Sequence, residues 1–210
     1  MKIKRALIAC FLIAIGQLSI ANAQTSTLHD PVSFKLRNGM NIIVAENTGT
    51  PKVYSSFTLE DGLTAESPVT QTVLTMMLND IALDTQAGIS FNDKGGNLAN
   101  SIAGFENALL ALSSTVTNAD LTEQLLEKTK IALLESVNKR LKFYPATVTA
   151  ARIEAITLED IKACYANNYQ PAKACLTIAG NITPAEAKLI AKKAFGEWKE
   201  NQVANTTTSR

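Results

Sequence analysis

Histidine is almost absent from this chain: His29 is the only one among 210 residues. No serine or cysteine nucleophile therefore has a histidine base apart from that isolated residue, which argues against a hydrolase triad. Cysteine is scarce as well, with Cys10, Cys164 and Cys175 and no C-x-x-C spacing. Excess charge is missing too. Lysine and arginine number 20 against 19 acids, with a formal net charge of +1, so no nucleic-acid partner is implied. The basic residues are interspersed with acids, as in Glu123, Glu127, Lys128, Lys130 and Glu135, the pattern of a solvated helix face. Internal repeats and linkers are absent, and with 46% hydrophobic residues one domain with one substantial core is the economical reading.

The one long apolar run, Ala6 to Ile20, follows Lys2, Lys4 and Arg5. It is too short to span a bilayer comfortably. Its charged start and the small residues of Ala21-Asn22-Ala23 have the form of a secretory signal over residues 1–23, cleaved before Gln24. The alternative, an acylated Cys10 after Leu7-Ile8-Ala9, leaves only four residues beyond Arg5, fewer than the apolar region of such a signal needs. Export to the periplasm or beyond is the expected localisation, with no transmembrane segment. Removing the three basic residues takes the charge from +1 to −2. An oxidising compartment would permit Cys164 and Cys175 to pair. Cys164 shares a helical apolar face with Leu158 and Ile161, so a buried thiol is the default expectation.

After a polar lead over 24–33, Phe34-Lys-Leu36 and Met40-Asn-Ile-Ile-Val44 flank Asn38-Gly39, which predicts a β-hairpin with a type I′ turn. Val53, Ser55, Phe57 and Leu59 alternate along a third strand ending at Asp61-Gly62, with the hairpin as its expected partner. Ser67-Pro68 caps a buried helix reaching about Asp84. Ile89 to Phe91 and Leu98 to Ala103 predict a second hairpin turning at Gly95-Gly96. Glu106 to Ser114 reads as a short helix, and Asp120-Leu-Thr-Glu123 as a near capping box opening a helix to about Lys142, before Pro145. Thr157-Leu-Glu-Asp160 opens another helix, Ala174 to Ala179 is a buried strand, and Thr183-Pro184-Ala-Glu186 opens the last helix, which ends at Gly196. The tail over 201–210 is expected to be disordered.

Several of these segments, in order, resemble one domain of the pitrilysin and insulysin zinc peptidases. Phe34-Lys-Leu-Arg-Asn-Gly-Met40 is similar to the opening hairpin of that family. Ile156 to Ile161, Tyr169-Gln-Pro171, Ile178 to Thr183 and Phe195-Gly-Glu-Trp198 are similar to the closing segment of its domains. Leu78-Asn-Asp80, Ala87 to Ser90, Ile102-Ala-Gly-Phe105 and Leu125 to Arg140 resemble the non-catalytic half. The resemblance covers roughly residues 34–200. It implies an α+β fold, a largely antiparallel sheet with helices packed on one face, of which this chain supplies a single insulinase-like domain.

Catalysis in that family uses H-x-x-E-H on a helix and a distal glutamate, two imidazoles holding zinc while a carboxylate activates water. The equivalent stretch here reads Leu74-Thr-Met-Met-Leu-Asn-Asp80, a core helix by composition. Glu60-Asp61 and Asn79-Asp80 with Asp84 are the best oxygen-ligand groups, yet they lack the spacing of a cage. Gly95-Gly96 lacks the strand-to-helix context and the lysine of a phosphate cradle. Met76-Met77 could form an adaptable binding surface, but their spacing fits the core, and Trp198 reads as a lid on that core. No residue is assigned to catalysis, cofactor or metal. The expected function is a partner or chamber wall for a separately encoded zinc-bearing peptidase chain. The alternative is a stand-alone periplasmic module that captures extended peptides on a sheet edge. Activity through groups not recognisable in the sequence would require a concave pocket with perturbed titratable residues.

Overall fold

A computed structural model of the protein describes residues 27–59 and 67–200. The signal segment, Cys10, the Glu60-Asp61 pair and the tail over 201–210 lie outside the described residues. Six strands, β1 (Val32–Lys35), β2 (Asn41–Glu46), β3 (Lys52–Leu59), β4 (Ser90–Asn92), β5 (Gly95–Ser101) and β6 (Ala174–Gly180), form one sheet in the order β1-β2-β6-β3-β5-β4. All neighbours are antiparallel except β2 and β6. The expected α+β sheet is therefore present. The third strand does not pair with the first hairpin, however: β6, from far along the chain, inserts between them. Ala174 to Gly180 is a run of small and apolar residues with no charge, as a central strand requires.

Among the described residues six α-helices accompany the sheet: α1 (Pro68–Asp84), α2 (Ile102–Thr117), α3 (Glu123–Asn138), α4 (Ala150–Ala155), α5 (Leu158–Asn168) and α6 (Pro184–Phe195). Helix α2 packs on β3 and β5, and α6 packs on β2. Helix α1 lies against α2 and β4, with α3 and α5 outside it. The strand side chains facing this layer, including Ile42, Val44, Val53, Phe57, Leu176 and Ile178, are fully buried. Phe57 sits at their centre. Its ring lies 6.2 Å from Tyr169, 6.0 Å from Phe195 and 6.1 Å from Trp198, so Trp198 does close the core. Met77 is fully buried and Met76 packs against the same core, which makes the methionines structural. Cys164 is buried on α5, and Cys175 is partly buried on β6.

Local chemistry explains most of the element boundaries. Ser67 caps α1, its hydroxyl accepting from the Thr70 amide, with Pro68 in the first turn. At the first hairpin only Gly39 takes a positive φ, 93°. The Gly39 amide bonds the Leu36 carbonyl, and the Leu36 amide bonds the Met40 carbonyl. Asn38 therefore does not complete a type I′ turn, and its side chain serves elsewhere. The amide donates to the carbonyls of Phe195 (2.7 Å) and Trp198 (3.0 Å), tying the hairpin to the end of α6.

Three further expectations are corrected. The second hairpin turns at Asp93-Lys94, with Gly95 and Gly96 inside β5, because the Asn92 carboxamide oxygen accepts from the amides of Lys94 and Gly95 and closes the loop early. Helix α2 begins at Ile102 rather than Glu106, since the Ser101 hydroxyl caps it through Gly104. Helix α3 is capped by Thr122, not Asp120, and stops at Asn138, where Arg140 takes a φ of 50°. The short helix α4, capped by Thr149, has no counterpart in the sequence reading.

Capping boxes form at two of the predicted helix starts, Thr157/Asp160 on α5 and Thr183/Glu186 on α6. The Thr157 amide and hydroxyl donate to the Asp160 carboxylate and hold it below its usual titration range. The Thr183 hydroxyl and amide do the same for Glu186. A carboxylate depressed in the folded state adds stability above its ordinary pKa and loses it as pH falls through the folded value. Stability should thus begin to fall below the ordinary values of 4.5 and 3.8. Thr157→Ala should cost about 1 kcal/mol near neutral pH and flatten that acid slope, as read from thermal melting at a series of pH values.

Candidate functional site

No concave, charged centre forms among the described residues. His29, the one histidine of the sequence, stands half-exposed beside Glu46, with Nδ1 3.2 Å from Oε2. Asp80 is engaged in an ion pair, 2.6 Å from Lys128 Nζ. That carboxylate, first as a hydrogen-bond acceptor and then by its charge, raises the Lys128 pKa. Among the described residues no group of three or more histidine, cysteine, aspartate or glutamate side chains could hold a metal ion. Asn79, expected to be an ordinary polar position near the end of α1, turns instead into β4. Its amide donates to the Phe91 carbonyl at 2.9 Å and its oxygen accepts the Phe91 amide at 2.8 Å.

The surface that stands out is the face of the sheet opposite the helices. Strand alternation sends Asn41, Ile43 and Ala45 of β2 to that side, with Cys175, Thr177 and Ala179 of β6. Tyr54, Ser56 and Thr58 of β3 join them, facing Asn97 and Ala99 of β5. None of these side chains is charged, and the one cation on this side of the four strands is Lys52, at the start of β3. Where Ser56 meets Asn97, the hydroxyl donates to the carboxamide oxygen at 2.9 Å, which satisfies polar groups without an ion. Tyr54, Ser56, Asn97, Ala99, Thr177 and Ala179 line a shallow depression in the middle of the face. The ion pairs Lys128–Asp80, Lys130–Glu127, Lys139–Glu135 and Lys193–Glu106 lie on the helices, Lys139 just past the end of α3.

Sequence reasoning did not find this face. The signal was present in the alternation of β3 and β6, whose outward positions after Lys52 are neutral where a solvated sheet carries charge. It becomes a surface only once β6 lies beside β3 and β2, a long-range pairing.

A family model described as the peptidase M16 inactive domain matches residues 155–209. No curated protein matches this chain. Among solved structures, a protease from Helicobacter pylori superposes with a TM-score of 0.69 at 16% identity, covering 82% of this chain and 51% of that one. The periplasmic protease PqqL from Escherichia coli gives 0.70 at 10% identity, over 84% of this chain and 25% of its own. Pitrilysin gives 0.65 at 13% identity, over 88% and 24%. The chain thus spans about half the length of the first structure and about a quarter of the other two. Its fold is that of these peptidase domains, and its C-terminal stretch is similar in sequence to the inactive domain of the peptidase M16 family.

Proposed function

We propose that this domain is the non-catalytic partner in a zinc peptidase system outside the cytoplasm, its open sheet face forming one wall of the space that holds a peptide. One observation carries the reading: across the four central strands the outward face holds a single charged side chain, Lys52 at the very start of β3. An open sheet surface that meets only water carries interspersed charge, whereas depletion of charge marks the centre of a contact surface. The likeness to larger peptidases, one of them periplasmic, supports the same assignment, and no helix among the described residues is long and apolar enough to cross a membrane.

Affinity purification of the tagged full chain from its native compartment tests this, with co-purifying chains identified by mass spectrometry and assayed for peptide cleavage. The expected result is a stoichiometric chain carrying H-x-x-E-H and cleavage abolished by a zinc chelator. Thr177→Glu, at the centre of the face, should weaken that complex by at least about tenfold, since a charge would be desolvated without a partner. Purification as an inactive monomer with no such chain would overturn the proposal. The second reading, a stand-alone peptide binder, is favoured by the state of the two sheet edges.

A further inference from the structure

A sheet of this kind has two edges on which an extended chain could add, and here they differ. Strand β4 has three residues, of which Phe91 alone directs its amide and carbonyl away from β5, because Ser90 and Asn92 make the ladder bonds. Both Phe91 groups are occupied by the Asn79 carboxamide, at 2.8 and 2.9 Å. The Asn79 amide also donates to Thr75 O one turn back on α1, at 2.9 Å, which holds it in place. A single side chain thus stands where the neighbouring strand would lie.

Among the described residues nothing pairs with the outer side of the opposite edge, β1. The Leu36 amide bonds the Met40 carbonyl, and alternation from that pair assigns the β2 ladder bonds to Phe34 and Val32. Ser33 and Lys35 therefore send their amides and carbonyls outward. On the helix side of this edge lie Val32, 46% exposed, and Phe34, whose ring has Lys188 Nζ 5.2 Å from its centroid. Lys35, Arg37 and Lys188 are exposed around its hairpin end, and none of the three is in an ion pair among the described residues.

From this asymmetry we infer that β1 is the edge at which the chain takes up an extended acidic peptide segment, and that Asn79 closes the β4 edge to the same reaction. Backbone groups of Ser33 and Lys35 supply the pairing. The apolar pair Val32 and Phe34 receives alternate apolar side chains of the peptide on the helix side, and Lys35, which alternation sends to the opposite side, selects the acidic ones facing it. The inference rests on the stand-alone peptide-binding reading and not on assembly with a zinc-bearing chain.

The probe is a labelled, capped hexapeptide of alternating valine and glutamate, titrated against the full chain by fluorescence anisotropy. Its lysine counterpart serves as control. Binding of the acidic peptide should be saturable, at least about tenfold tighter than that of the lysine peptide, and weakened at least about tenfold by Ser33→Pro, which removes an outward amide without breaking a ladder bond. In the unaltered chain, hydrogen exchange should slow at Ser33 and Lys35 when the peptide is added. Asn79→Ala should create a second, weaker site.

Absence of saturable binding would overturn the proposal, as would binding indifferent to Ser33→Pro. Protection of Ser33 and Lys35 by self-association, with no peptide present, would assign the edge to a second copy instead. None of these failures touches the affinity purification described above, so the two readings fall separately.

Discussion

Phe57→Ala should destabilise the domain by about 3–5 kcal/mol, a large part of the 5–15 kcal/mol typical of a folded domain. Phe57 is fully buried in a central strand of the sheet and lies against three aromatic rings from two separate places in the chain. Tyr169 comes from the end of α5, Phe195 from the end of α6 and Trp198 from just beyond it. Truncation leaves a cavity that none of them can fill without the others moving, because each ring is also fixed elsewhere: Tyr169 stacks on Tyr165, and the Phe195 and Trp198 carbonyls are held by Asn38. The expected signature is a fall in melting temperature of roughly 10 °C or more. A loss below about 1 kcal/mol would mean the aromatic cluster does not organise the core.

Gly95→Ala should be the next most damaging change, at about 3 kcal/mol or more. Gly95 has a φ of 143°, and a Cβ there would lie 2.0 Å from the Phe57 carbonyl oxygen. That oxygen is backbone of the central strand, so relief requires β5 to part from β3. One residue on, a Cβ at Gly96 would meet Leu112 Cδ1 and Phe91 Cε1, both at 2.8 Å. Those are the far ends of side chains, which can shift where a backbone strand cannot, and Gly96→Ala should cost only about 1–2 kcal/mol. Urea unfolding of the two variants side by side gives the comparison, and the reverse order of damage would show that β5 is not held against β3 as described.

The damage at Gly95 has a bearing on function, since β5 carries Asn97 and Ala99 of the outward face and is the strand on which β4 rests. A chain weakened there should lose both the contact surface and the closed edge. Loss of partner binding in Gly95→Ala would therefore report on fold, whereas loss in Thr177→Glu, an outward position on a neighbouring strand, would report on the surface.

What the sequence determined by itself is local. Ser67-Pro68, Thr157 with Asp160 and Thr183 with Glu186 set helix starts through bonds spanning three residues, so their chemistry is complete within a short stretch. The alternation of β3 and the neutrality of β6 are local as well, and so is the want of a second histidine. Tertiary structure alone decided that β6 enters between β2 and β3, a pairing whose favourable contacts join residues more than a hundred positions apart and leave no local mark. It also decided that Tyr54, Ser56, Thr177 and Ala179 share one surface. Asn79 shows the reason most plainly. Its sequence neighbours make it an ordinary helical asparagine, and only the packing of α1 beside β4 brings its amide within reach of Phe91 and turns it into the closure of a sheet edge.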